Sequence, residues 1–183
     1  MKKVSEMLYR FSRGWIALVA LVIFGLFTAL VLPDQARQAE ENTGQGTSPD
    51  TSFFYSEEEL YTVAESYGEA GRAAYIRARL TFDIIWPLVY TFFLLTAISW
   101  LFGQVLAPEN RLRWVNWFPL FAILFDFLEN LSTSLVMFRY PEPTPVVAAL
   151  APWFTALKWI FVSGSFVLVI LGVIFVLWKR IRD

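Results

Sequence analysis

The chain contains 183 residues, 57% of them hydrophobic, 18% aromatic and 17% charged, with a formal net charge of −1. The apolar share exceeds the roughly 45–50% of soluble globular domains. Zero Cys and zero His exclude disulfides, thiolate chemistry and imidazole ligands or bases. No basic excess points to nucleic acid, and no nucleotide, zinc or flavin motif implies a cofactor.

Four long apolar runs dominate the chain. The first, residues 14–32, has 19 residues without a charge and follows Lys2, Lys3, Arg10 and Arg13. Its apolar core is longer than that of a signal peptide and no A-x-A site follows closely, so it reads as a retained span. The others cover 80–102, 114–138 and 152–178, with 23, 25 and 27 residues. A helix needs roughly 20 residues to cross a ~30 Å hydrocarbon core, and lipid leaves no partner for an open backbone. The expected fold is therefore an all-α integral membrane protein, a single domain of four transmembrane helices in a bundle.

Between the first two runs, residues 33–55 are polar and rich in Gly, Ser, Thr and Pro, which predicts an exposed loop. Ser56 followed by Glu59 fits a capping box, and Leu60, Val63, Tyr67, Ala70 and Ala74 recur at helical spacing. These features predict an amphipathic helix over 57–79, with Gly68 and Gly71 as bend points. Residues 103–113 form a short connection that makes spans two and three an antiparallel hairpin. The 139–151 connection, with three prolines within five residues, begins as a stiff non-helical turn.

Basic residues set the expected orientation. The N-terminal segment, the 103–113 connection and the C-terminal tail hold nine Lys and Arg, whereas the opposite flanks hold five. Both termini are thus expected in the cytoplasm of a cell with the chain in its plasma membrane. Trp15, Trp114, Trp117, Trp153 and Trp178 near the span ends read as interfacial belt residues. Gly14, Ala17, Gly25 and Thr28 read as a close-packing stripe on span one.

Ionisable groups within spans are costly and point to function. Asp83 lies in span two, Asp126 and Glu129 in span three, and Lys158 in span four. Lys158 is six residues inside its span, about 9 Å at the helical rise. On the expected topology, all four fall in the middle or outer half of the bilayer. Asp126, Glu129, Asn130 and Thr133 share one helix face; Asp83 shares a face with Tyr90, and Lys158 with Ser165 and Gly172. Pro87 cannot donate to the carbonyl of Asp83, nor Pro119 to that of Val115, so each proline frees a backbone acceptor. Three acids against one Lys require that a carboxyl stay protonated or that an outer-rim arginine, among Arg72, Arg77, Arg79 and Arg139, reach inward.

The candidate catalytic residues are therefore Asp126, Glu129 and Asp83, and the candidate ligand-binding residues Asn130, Lys158, Tyr90, Arg72 and Arg79. Together they suggest a bundle that binds a lipophilic molecule and is capable of acid–base chemistry. The expected pocket lies between spans two, three and four, with Trp86 and Phe127 in its walls and its mouth toward the outer leaflet. Two other classes fit the same residues. One is a non-catalytic accessory or scaffold subunit of a membrane complex, its charges serving helix packing. The other is a proton or ion pathway, disfavoured by the lack of a titratable relay in the cytoplasmic half. Expected partners are membrane lipids, a lipophilic small molecule or other membrane subunits, and not nucleic acid.

Overall fold

A computed structural model describes residues 2–43 and 48–182. The described residues are helical or in connecting turns, with no strand. Four helical stretches are long and apolar enough to cross a membrane: Gly14–Thr43, Gly68–Val105, Arg111–Arg139 and Pro145–Arg182.

Helix α1 (Lys2–Phe11) precedes α2 (Gly14–Leu26). A π-helical turn, Phe27–Val31, then joins α2 to α3 (Leu32–Thr43) without interruption. The expected loop is thus helical over 33–43, while 44–47 lie outside the described residues. Two effects explain the difference. Ala, Gln, Arg and Glu dominate 35–41 and are strong helix formers despite their polarity. Leu32 N–H bonds Phe27 O in the wider π register immediately before Pro33, which has no donor of its own.

The capping box forms as expected. Ser56 N–H donates to Glu59 Oε2 at 2.6 Å, and Glu59 N–H to Ser56 Oγ at 3.1 Å. The predicted 57–79 helix is divided into α4 (Glu57–Ser66) and α5 (Gly68–Arg79) by Gly68, whose φ of 61° is accessible to glycine. Gly71 is no bend. A Cβ there would lie 3.1 Å from the Asn42 carbonyl oxygen, so it permits α3 to approach α5. The inward face is Leu60, Ala64, Tyr67, Gly71, Tyr75 and Arg79. It is rotated from the expected stripe through Val63, Ala70 and Ala74, because Tyr75 and Arg79 are drawn inward. Leu60, Ala64, Tyr67 and Tyr75 pack with Tyr55 against Val136 and Met137 and against Ala148 and Ala151. Helices α4 and α5 therefore cap one end of the bundle.

The centre is built from α6 (Phe82–Val105), α7 (Phe118–Arg139) and α8 (Pro145–Arg182), with α7 and α8 the most extensively paired. Helix α7 follows a 3-10 segment, Arg111–Trp117. Phe118 N–H takes the Val115 carbonyl there, so Pro119 opens α7 near its first turn and produces no mid-span kink. Helix α8 begins at Pro145, seven residues before the predicted span, and runs through Pro152. Gly172 lies so close to α6 that a Cβ would meet Leu101 Cβ at 2.9 Å.

Helix α2 packs chiefly on α6. Its buried positions are Ile16, Ala17 and Ala20, followed by half-buried Phe24 and Phe27. Gly25 and Thr28 point outward, and nothing lies within 4 Å of a Cβ built on Gly25. The packing stripe thus rotates from small residues to aromatic ones, toward the cluster described next.

Candidate functional site

The site begins with a proline. Pro87 leaves the Asp83 carbonyl without its helical donor, and the Asn130 amide of α7 supplies a replacement at 3.3 Å. The same Asn130 Nδ2 donates to Asp126 Oδ1 at 2.9 Å, one turn back on α7. Tyr90, on the face of Asp83, donates its hydroxyl to Asp126 Oδ2 at 2.8 Å. Both oxygens of a buried carboxyl are thereby engaged by neutral donors from two helices.

Two ion pairs flank this group. Lys158 Nζ is 2.6 Å from Glu129 Oε2, with side chains only 5% and 1% exposed. Arg79 lies 2.7 Å from Asp83 Oδ2, across the break between α5 and α6. Its guanidinium also covers the Tyr75 ring at 4.5 Å. Of the four arginines expected to compete for the buried acids, Arg79 reaches inward. Arg72 goes elsewhere: it donates to the Ala64 carbonyl at 2.9 Å and lies over the Tyr140 ring at 4.8 Å, tying the cap together. Thr133 and Ser165 bond back to carbonyls of their own helices, Glu129 and Phe161 respectively.

Asp83, Tyr90, Asp126 and Lys158 line a cavity of about 190 Å³. Its apolar wall combines Trp86 of α6, Phe24 of α2, and Trp159, Val162 and Phe166 of α8. Phe24 stacks on Trp86 with centroids 5.7 Å apart, and leans on Phe166 at 6.0 Å where α2 meets α8. Glu129 and Asn130 are not on this wall. They orient Lys158 and Asp126 from behind. Phe127 does not line it either, and α2, absent from the expected pocket, contributes Phe24.

Tyr55 is a participant that the sequence reading missed. It precedes α4, is buried, and accepts a hydrogen bond from the Thr155 hydroxyl at 3.2 Å. Burial raises its phenol far above the ordinary tyrosine range, and the Thr155 bond only partly opposes this. Its ring packs in the cluster that holds Val136, Met137, Ala148 and Ala151. The available signal was the aromatic triplet Phe53-Phe54-Tyr55 within an otherwise polar stretch.

Toward the α1 end, Phe93, Leu94, Ala97 and Ala122 form an apolar layer beneath Tyr90. Beyond it, buried Asn116 joins Ser5 and Ser99: Ser5 Oγ donates to Asn116 Oδ1 at 3.0 Å, and Asn116 Nδ2 donates to Ser99 Oγ at 3.4 Å.

Fold and site define an all-helical bundle with four potential membrane spans and an acid-lined aromatic cavity among them. The chain matches no protein-family model, no curated protein and no solved structure.

Proposed function

We propose that this chain is an integral membrane protein that binds a lipophilic molecule in the cavity between α2, α6, α7 and α8. Asp126 and Tyr90 meet the polar end of that molecule, and the Trp86, Trp159, Phe24 and Phe166 rings meet its apolar body. The cavity itself is the observation that carries this reading. Ion pairs that serve only as struts need no empty space beside them, and a void forfeits dispersion contacts on every wall. A cavity of roughly 150 Å³ already admits a benzene-sized guest. The 190 Å³ here suits a ring or chain end placed against a carboxyl.

On this reading the Lys158–Glu129 and Arg79–Asp83 pairs hold the helices in register. Asp126 is then the group that exchanges a proton with a bound molecule, and Tyr90 positions it. The chain is placed in the plasma membrane on this reading, and the basic-residue asymmetry supports the placement of both termini in the cytoplasm. The scaffold reading draws on a different observation: Leu18, Val22 and Leu26 of α2, and Ile170, Ile174 and Leu177 of α8, are exposed apolar faces that lipid or another subunit covers.

Photolabelling tests the proposal. The chain in lipid nanodiscs is exposed to a lipophilic aryl diazirine, and the labelled peptides are mapped. Label is expected on the peptides bearing Trp86 and Trp159. Val162→Phe, which fills the cavity, and Asp126→Leu should each reduce it while helicity is retained. Label confined to the outer faces of α2 and α8, and unchanged by Val162→Phe, would favour the scaffold.

A further inference from the structure

A larger cleft, separate from this cavity, lies at the α1 end. It measures about 600 Å³, within the roughly 300–1,000 Å³ typical of small-molecule sites. One wall is α1, with Glu6 and Tyr9; the other is the 108–114 segment, with Glu109, Arg111 and Arg113.

The cleft is built, not incidental. Tyr9 donates its hydroxyl to the Arg113 carbonyl at 2.8 Å, and the Arg113 guanidinium lies over the Tyr9 ring at 3.9 Å. Burial pushes the Tyr9 phenol up to about 12, so it remains a neutral donor. The Ser5–Asn116 bonds fix the adjoining turn of α1 to the bundle. Arg113 Nε is buried without a hydrogen-bond partner, and among the described residues neither Arg113 nor Arg111 forms an ion pair. The opposite face of α1 exposes Val4, Met7 and Phe11, and Trp114 at the cleft rim is 50% exposed. Those surfaces place the cleft at the polar boundary of a bilayer if the four helices span it.

Two guanidinium groups and two carboxylates line the same space, and their formal charges cancel. A purely anionic guest would meet Glu6 and Glu109 unfavourably, and a purely cationic one Arg111 and Arg113. A choline headgroup offers no N–H to a carboxylate, and the Tyr9 face that would attract it is covered by Arg113. We propose that the cleft binds the headgroup of a glycerophospholipid carrying a phosphodiester and a primary ammonium, with the phosphate on Arg111 and Arg113 and the ammonium on Glu6 and Glu109. Guanidinium–phosphate and ammonium–carboxylate hydrogen bonds are the strong, charge-assisted kind. This site does not depend on any ligand in the central cavity.

Native mass spectrometry of the intact chain in detergent tests it, with phosphatidylethanolamine, phosphatidylcholine and phosphatidylglycerol of identical acyl chains. The ethanolamine lipid is expected to bind at least about tenfold tighter than either of the others, the gain that even one of the two ammonium–carboxylate contacts would give. Arg113→Gln should abolish retention of all three. Arg111→Gln, at an exposed position without folding risk, should weaken it. The double change Glu6→Gln and Glu109→Gln should retain phosphate binding and equalise the ethanolamine and choline lipids. Equal binding of all three lipids, a preference for phosphatidylglycerol, or an unaltered folded Arg111→Gln protein overturns the proposal. Displacement of the lipid by equimolar O-phosphoethanolamine also overturns it, in favour of a soluble ligand.

Discussion

Replacing Lys158 by Met removes the ammonium 2.6 Å from Glu129 Oε2, in a pair only 5% and 1% exposed, while keeping most of the side-chain volume. Breaking a buried ion pair from one side typically costs about 3–5 kcal/mol. Proton uptake sets a ceiling on that cost. Neutralising a carboxyl with a solution value near 4.3 costs about 3.7 kcal/mol at pH 7 and about 1.6 kcal/mol at pH 5.5, at ~1.36 kcal/mol per pH unit. The deficit of Lys158→Met should therefore shrink as pH falls, because the folded variant takes up the proton and the denatured chain above pH 4.3 does not. Adding Glu129→Gln should recover most of the loss at pH 7 and remove its pH dependence. SDS-induced unfolding in mixed micelles at the two pH values measures all three variants. A loss under about 1 kcal/mol at pH 7, or one independent of pH, would refute the reasoning that the pair is buried and charged.

The proline–asparagine exchange predicts coupling: Asn130→Leu should cost about 1–3 kcal/mol in the native background and measurably less alongside Pro87→Ala, which restores a donor to Asp83, as a double-mutant cycle would show. Gly172→Ala should destabilise by about 1–3 kcal/mol by driving a methyl onto Leu101, while Gly25→Ala, which meets nothing, should stabilise by up to about 1 kcal/mol through helix propensity in the same thermal assay. Ser56→Ala should cost about 1 kcal/mol and speed amide exchange in the first turn of α4. Because the Tyr9 phenol is raised in the folded chain, its contribution is complete below pH 10 and is lost as pH rises to about 12; ultraviolet titration of phenolate against a Tyr9→Phe control reads this directly.

The sequence carried the four apolar stretches because length and composition alone distinguish them. The intramembrane charges were equally legible through helical spacing: the i, i+4 step from Asp126 to Asn130, and the missing donor at Pro87, anticipate the bonds now seen. Long-range choices were not legible. Nothing in the spacing of Arg72 and Arg79 tells which enters the bundle. That depends on the backbone break at Leu80–Thr81, which brings Arg79 onto Asp83, and on Tyr140, which holds Arg72 away. The loop expected over 33–55 failed over 33–43 because polarity was weighed over propensity. Phe24 was missed because the first span was assigned a small-residue face, whereas its inward stripe becomes aromatic after Ala20.

The central claim is that the cavity walled by Asp126, Trp86 and Trp159 receives a lipophilic molecule. The most direct measurement is a density map of the chain extracted from its native membrane into nanodiscs without detergent exchange. The account predicts elongated non-protein density between Trp86, Trp159 and Phe166, ending within hydrogen-bond distance of Asp126 or Tyr90, and its loss in Val162→Phe. An empty site in which Trp159 or Phe24 has swung inward to close the cavity around intact ion pairs would contradict it.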